Sequence, residues 1–464
     1  MTTTIAQLAV VLQELFSATA ERIAKETKFV QRESPLTGAV FAQALVSAWL
    51  ADPQASEAQL AQAAAAVGVP ITAQGLTARF TWPAAELMRR LLETAVSQVI
   101  AARPAALAVL KRFNGVYIQD STSIGLPDAL VEIWHGSGAR GGNETVAGLK
   151  VQVQWDYNSG QLSQLVLQDG QAQDRDAPVQ STPLPAGALR LADLGYFSLP
   201  VLAALSAADV YWVSRPQVNT LVWTAEGQCL DLMTLLQSQP ATQVEQAVLL
   251  GKEQRLACRL LAVRVPQEVA DRRRQALRKE AHHKGQAVSQ ARLALAKWTI
   301  LVTNVPPALL TLAEALVVMG CRWQIELLFK LWKSHGQVDQ SRSQQPWRIL
   351  TEVYAKLLAM VVQHWLFLVG HWSLFDRSLF KAAKVVRSHA MHLATHFGSV
   401  AQLEEVITTI GRCLLTGCRI NKSRTTPRTY QRLKALEARG VAPRALPPQL
   451  DVLSPAATAI AYLG

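Results

Sequence analysis

The chain has 464 residues, half of them apolar and 17% charged, with a net charge of +12. This composition excludes a disordered polymer and is enough for two to four domains around at least one sizeable core. The basic balance points to a polyanionic partner, and five cysteines with no C-x-x-C pair argue against a disulfide framework or zinc finger and for a reducing compartment.

In chain order, residues 1–105 read as helical and rich in Ala and Leu. No apolar core flanked by basic residues opens the chain, so no signal peptide is expected. Within this region Ser56 can cap one short helix and Thr72 a second, across the break at Gly68-Val69-Pro70. Two such helices fit either a helix-turn-helix, whose second helix enters a major groove, or an ordinary helical hairpin.

From Lys111 the texture changes to strands. Val116–Gln119 reads as a short strand ending at Asp120. Leu149–Tyr157 and Gln161–Gln168 form a hairpin around Asn158-Ser-Gly160. Leu189–Ala192 is a strand ending at Asp193, followed by a helix over Leu194–Ala208 and a strand over Val210–Ser214. Antiparallel strands followed by strand–helix–strand imply a mixed α/β sheet.

Strand-like pieces continue through Pro266, and Gln267–Leu295 is polar and helix-like, broken at Gly285. Between Gly251 and Thr299 there are twelve Lys or Arg against four Asp or Glu. An excess this lopsided, including Arg272, Arg273 and Arg274, favours phosphate contact over a merely solvated face. Trp298–Asn304 returns to a strand.

Gly320–His335 reads as a helix on which Arg322, Glu326, Lys330 and Lys333 share one stripe, beside an apolar stripe of Ile325, Leu328 and Trp332. The chain from Pro346 onward reads mostly helical. Leu357–Gly370 is apolar but short for a membrane span and is expected as a buried helix. Cys418–Arg428 is a basic segment without an apolar pattern.

Asp120 and Asp193 share a local context, each expected at the end of a short strand, where ligands of open α/β sheets bind. If their strands are parallel neighbours the carboxylates converge, and Glu326 can supply a third. Three such carboxylates repel unless neutralised, and a hard cation such as Mg²⁺ does so while leaving positions open for phosphate. Two ions would clamp an in-line displacement at phosphorus. Arg322, Lys330 and Lys333 would then contact anions.

Asp120-Ser-Thr, Leu191-Ala-Asp-Leu-Gly-Tyr-Phe197 and Arg322-Trp-Gln-Ile-Glu-Leu-Leu-Phe-Lys-Leu-Trp-Lys333 resemble the motifs of DDE transposases of the insertion sequence 4 family. Tyr211–Arg215 and Trp298–Asn304 are similar to that family as well, and the resemblance spans roughly Lys111–Arg342. The family's Tyr-x2-Arg-x3-Glu-x6-Lys pattern is met at Arg322, Glu326 and Lys333, whereas its Tyr position is Met319. The resemblance implies a ribonuclease H-like core interrupted by a β-rich insertion before the Glu helix. It implies Asp120, Asp193 and Glu326 as catalytic metal ligands for two Mg²⁺ or Mn²⁺ ions. Trp298 looks similar to a position that receives a flipped base in relatives cutting through a DNA hairpin, although a core Trp fits the same strand.

These readings divide the chain into an N-terminal helical DNA-binding domain (1–105), the first part of the core (106–215), a β-rich insertion with a basic helix (216–295), the second part of the core with the Glu helix (296–345) and a C-terminal helical region (346–464). The expected function is a metal-dependent DNA transposase that binds terminal repeats, cleaves, passes through a hairpin and joins ends to target DNA. The alternatives are an endonuclease without strand transfer or a non-catalytic DNA-binding repressor. A homodimer in the active complex, a cytoplasmic, nucleoid-associated location and no membrane partner complete the expectation.

Overall fold

Helix starts follow their capping residues. In the computed structural model, which describes residues 2–438 except 105–106, 137–146, 284, 373, 375 and 421–426, Thr4 opens α1 (Ile5–Glu14) with a capping box to Gln7. A π turn leads to α2 (Ala20–Glu26). Thr37 caps α3 (Gly38–Ala51), Ser56 caps α4 (Glu57–Ala66) and Thr72 caps α5 (Ala73–Thr77), the last two as the sequence suggests. Pro83 sits in the first turn of α6 (Trp82–Val96).

The strands then enter as β1 (Val116–Gly125), β2 (Gly148–Asp156), β3 (Leu162–Asp169) and β4 (Leu189–Ala192). The expectation that the first strand stops at Asp120 is corrected: β1 runs on to Gly125, because Ser121–Ile124 stay extended. The helix expected over Leu194–Ala208 is also divided. A 3-10 turn (Leu194–Tyr196) precedes α7 (Leu199–Ala207), whose first turn is set by Pro200, which has no N–H to continue a helix from upstream.

After β5 (Tyr211–Ser214) the insertion supplies β6 (Leu221–Trp223), β7 (Cys229–Asp231), α8 (Leu232–Gln237), β8 (Gln243–Leu250), β9 (Leu256–Arg264), α9 (Gln267–His283) and α10 (Gln290–Leu295). Next come β10 (Trp298–Thr303), α11 (Leu312–Met319), a 3-10 turn (Gly320–Arg322) and α12 (Trp323–Ser334). The chain continues with α13 (Pro346–His371), α14 (Leu379–Ala394), α15 (Val400–Gly417) and α16 (Thr429–Ala438). Most of the basic segment Cys418–Arg428 lies outside the described residues, as does Lys284.

Two compact units form. One holds the described residues of 107–119, 173–322 and those from 427 on. Its strands are ordered β1-β4-β5-β10-β9-β8-β6-β7. β1, β4 and β5 are parallel, and β10 enters antiparallel between β5 and β9. The insertion strands therefore extend the sheet of the core. This is the mixed α/β arrangement expected of a ribonuclease H-like core. Trp212, Leu202, Val210, Leu260 and Val302 fill one side of it.

The other unit holds the described residues of 1–106, 120–172 and 323–426. Its axis is α13, buried along nearly its whole length, on which α3, α6 and α15 pack. The N-terminal helices thus share a core with α13 instead of standing as a body of their own. α13 is long and apolar enough to cross a membrane, yet 94% of its most apolar window is buried inside the protein, as the buried-helix reading predicts.

The β2–β3 hairpin turns at Gly160, at φ +74°. A Cβ there would lie 2.4 Å from Leu368 and Trp372, so only glycine lets the turn seat on α13. The Gly160 carbonyl accepts from Trp155 Nε1 at 2.9 Å and from His364 Nε2 at 2.6 Å. Burial pushes the imidazoles of His364 and His371 down to about 4. Their unfolded value is about 6.5, so the fold binds fewer protons than the unfolded chain between those limits. Stability is full above about pH 6.5 and falls as pH drops toward 4. Thermal melts should lose roughly 5 °C or more across this window, and His364→Gln should flatten that loss.

Candidate active site

The parallel register of β1 and β4 sets the two aspartates. Gln119 lies opposite Ala192, and Asp120 and Asp193 are the next residue on each chain. The condition that the two strands be parallel neighbours is met, although Asp120 sits mid-strand. A buried network stands immediately before both residues. Arg190 on β4, 2% exposed, donates through Nε to Gln119 Oε1 at 2.6 Å and through Nη2 to Gln180 Oε1 at 2.5 Å. Gln119 Nε2 in turn donates to the Val179 carbonyl at 2.8 Å. Burial draws the Arg190 guanidinium down to about 10, so it remains charged at neutral pH.

Asp193 follows β4 with extended backbone and opens the 3-10 turn. Its carboxylate is 43% exposed and lies 3.7 Å from Arg322 Nε. Arg322 closes the 3-10 turn after α11, so it precedes α12 and is not on the helix as expected. Asp120 Oδ1 accepts from the Ser121 amide at 2.9 Å.

α12 buries Ile325, Leu328, Phe329, Leu331 and Trp332. Glu326 and Lys333 are half-buried and Lys330 is exposed, as the stripe predicts. Lys333 Nζ donates to the Ser123 carbonyl at 2.8 Å, which ties the last turn of α12 to the end of β1. Among the described residues no three His, Cys, Asp or Glu side chains are gathered as a group that could hold a metal ion. By chemistry, Asp120, Asp193 and Glu326 are a hard-oxygen set, with neither thiol nor imidazole among them, and suit a cation of the Mg²⁺ class.

Two expectations need revision. Trp298 is 3% exposed in the core, with the Arg264 guanidinium 4.8 Å from its ring centroid, so its face is already covered. The run Arg272–Arg274 divides because a helix turns its residues to different sides. Arg273 Nη1 donates to the Trp298 carbonyl at 2.9 Å and Nη2 to Thr299 Oγ1 at 3.0 Å. Arg274 donates to the Leu293 carbonyl at 3.2 Å and pairs with Asp271 at 2.7 Å. Only Arg272 of the three is exposed.

One residue escaped the sequence reading. Trp323, the first residue of α12, is 62% exposed, with Leu327 one turn on at 38%. The available signal was its position off the Ile325–Leu328–Trp332 stripe, where an apolar side chain is left without a core to enter.

Comparison with known proteins agrees with this arrangement. Residues 111–362 match the family described as transposase DDE domain. The chain is 27% identical over 363 residues to the transposase for insertion sequence element IS231F of Bacillus thuringiensis subsp. israelensis, covering 73% of this chain and 75% of that one. It is 28% identical over 366 residues to the IS231C transposase of Bacillus thuringiensis subsp. berliner, covering 74% and 75%. It is 24% identical over 365 residues to the IS1151 transposase of Clostridium perfringens, covering 74% and 76%.

Because Arg273 is committed to carbonyls, Arg273→Ala should cost about 1–2 kcal/mol of stability and leave the salt dependence of DNA binding unchanged. Arg272→Ala should do the reverse, keeping the melting temperature and lowering the salt slope by about 0.9. Paired denaturation and salt titrations check both.

Proposed function

The chain belongs to the transposase DDE domain family, and from that premise we propose that this DNA transposase cleaves the terminal repeats of its element and joins the 3′ ends to target DNA at Asp120, Asp193 and Glu326. The observation that carries the assignment is the β1–β4 register, in which each aspartate directly follows a member of the last parallel pair, Gln119 and Ala192. Lys333 supports the third member by fastening α12 to β1 at Ser123. Glu326 lies seven residues before Lys333, about 10 Å along a helix, and Asp120 lies three residues before Ser123, about 10 Å along a strand.

Two divalent cations held by these carboxylates, Mg²⁺ or Mn²⁺, would supply the charge that favours attack at phosphorus by water or a 3′-hydroxyl. The remaining side chains bind and orient. Arg322 offers a planar fork to a phosphate beside Asp193, and Lys330 presents an exposed point charge. The exposed ring of Trp323 offers a stacking face for an unpaired base, a role that the family resemblance suggested for Trp298. A hairpin route needs such a face, since its tight turn unstacks a nucleotide. Holding two ends for joining calls for a dimer in the active complex, and DNA as substrate sets the place of action at the nucleoid.

The test is purified protein with labelled element ends and Mg²⁺, resolved on a denaturing gel. Nicked, hairpin and joined products are expected. Asp120→Asn should remove all three by about a thousandfold or more, as for a residue acting in the transition state, while binding to the ends persists. Cut ends that never join a target plasmid would reduce the activity to that of an endonuclease.

A further inference from the structure

α14 carries cations where helix stability disfavours them. Between Asp376 and Glu404 the sequence contains no Asp or Glu, yet it holds Arg377, Lys381, Lys384 and Arg387 together with His389, His392 and His396. One face of α14 is buried through Ala382, Ala383, Val386, Ala390 and Leu393, packing on α3 and α15. The opposite face exposes Lys381, Lys384, Ser388 and His392, a continuous stripe at i, i+3, i+7 and i+11. Lys381 falls in the first turn, where the helix dipole favours acids and opposes a cation by several tenths of a kcal/mol. A face kept only for solubility would mix signs and place an acid there.

The stripe adjoins the Glu helix. Arg387 Nη2 donates to the His335 carbonyl, just past the end of α12, at 2.5 Å. The His335 ring rests on Phe380 at 5.1 Å between centroids. Its imidazole is held below the ordinary value by burial and then by the positive charges of Arg387 and Lys384. Lys381 to His392 spans about 16 Å of helix, the axial length of about five phosphates on one strand.

We infer that the exposed face of α14 is a second track for the DNA sugar-phosphate backbone, sequence-independent and continuing the anion contacts of α12. The inference rests on the DNA-cleaving reading above and extends it to a surface outside the carboxylate site. Lys384 and Ser388 are the informative positions, because Lys381 also donates to the Arg419 carbonyl at 2.7 Å and contributes to the fold.

The experiment measures the affinity of the full chain for an element-end duplex and for a scrambled duplex across a salt series. Lys384→Gln should lower the slope of log affinity against log salt by about 0.9 on both duplexes. Ser388→Glu should lower it at least as much, and Lys384→Arg should keep the wild-type slope. Should Lys384→Gln fail to fold in a thermal melt, Ser388→Glu at an exposed position decides. Wild-type slopes in both variants overturn the inference while leaving the carboxylate site untouched. A wild-type protein that binds neither duplex overturns the DNA-cleaving reading itself.

Discussion

The candidate site depends on one piece of pairing, the parallel contact of β1 with β4. Four residue pairs define it, from Val116↔Leu189 to Gln119↔Ala192. Parallel ladders tolerate slips poorly when both faces are covered, since a one-residue shift would turn every side chain to the wrong face. Here a buried guanidinium adds a second lock. Arg190 reaches Gln119 across the ladder and Gln180 beyond it. A slipped register would strand a charged group in the interior, a penalty of several kcal/mol. The pair Gln119 and Ala192, which the two aspartates directly follow, is thus held in register by a cation that is not among the candidate residues.

The Glu helix is fixed by a comparable arrangement at its far end. Lys333 holds its last turn to β1, and Arg387 grips the carbonyl that follows. The connection after it is anchored from below by α13. Lys356, 1% exposed, donates to the Gln337 and Gln340 carbonyls and pairs with Glu352 at 2.7 Å. Glu352 also accepts from Ser341 at 2.8 Å. Removing one partner of such a buried pair typically costs about 3–5 kcal/mol. The bonds to Gln337, Gln340 and Ser341 all end on the short connection that follows α12, and so steady the end of that helix.

How much was legible in the sequence follows from how local each signal was. Caps at Ser56 and Thr72, the hairpin at Gly160 and the strands leading to Asp120 and Asp193 were readable because each rests on neighbouring residues or short periodicity, whereas the parallel pairing of those two strands was only a condition of the sequence reading. The continuation of β1 past Asp120 was not, because Ser121–Ser123 have no apolar alternation and are extended only through tertiary context. Arg272–Arg274 looked like one basic run, yet helical geometry sends two of the three inward to carbonyls that composition cannot reveal. Trp298 is covered in the core, whereas Trp323 is exposed. Both sit at the start of an element, so local pattern does not tell them apart, and for Trp298 it is the packing of the sheet that covers the ring.

α13 also fixes an order of events during synthesis. Its apolar surface completes the core for α3 and α6, which leave the ribosome far earlier. At roughly 5–20 residues per second, the chain from residue 51 to residue 371 takes about 15–60 s to emerge. Over that interval the first hundred residues can pack on one another, but the core they share with α13 stays incomplete. Until then α3 and α6 lack the helix on which they pack in the folded protein. A chain terminated before α13 therefore lacks its completed core even when Asp120, Asp193 and Glu326 have all been translated.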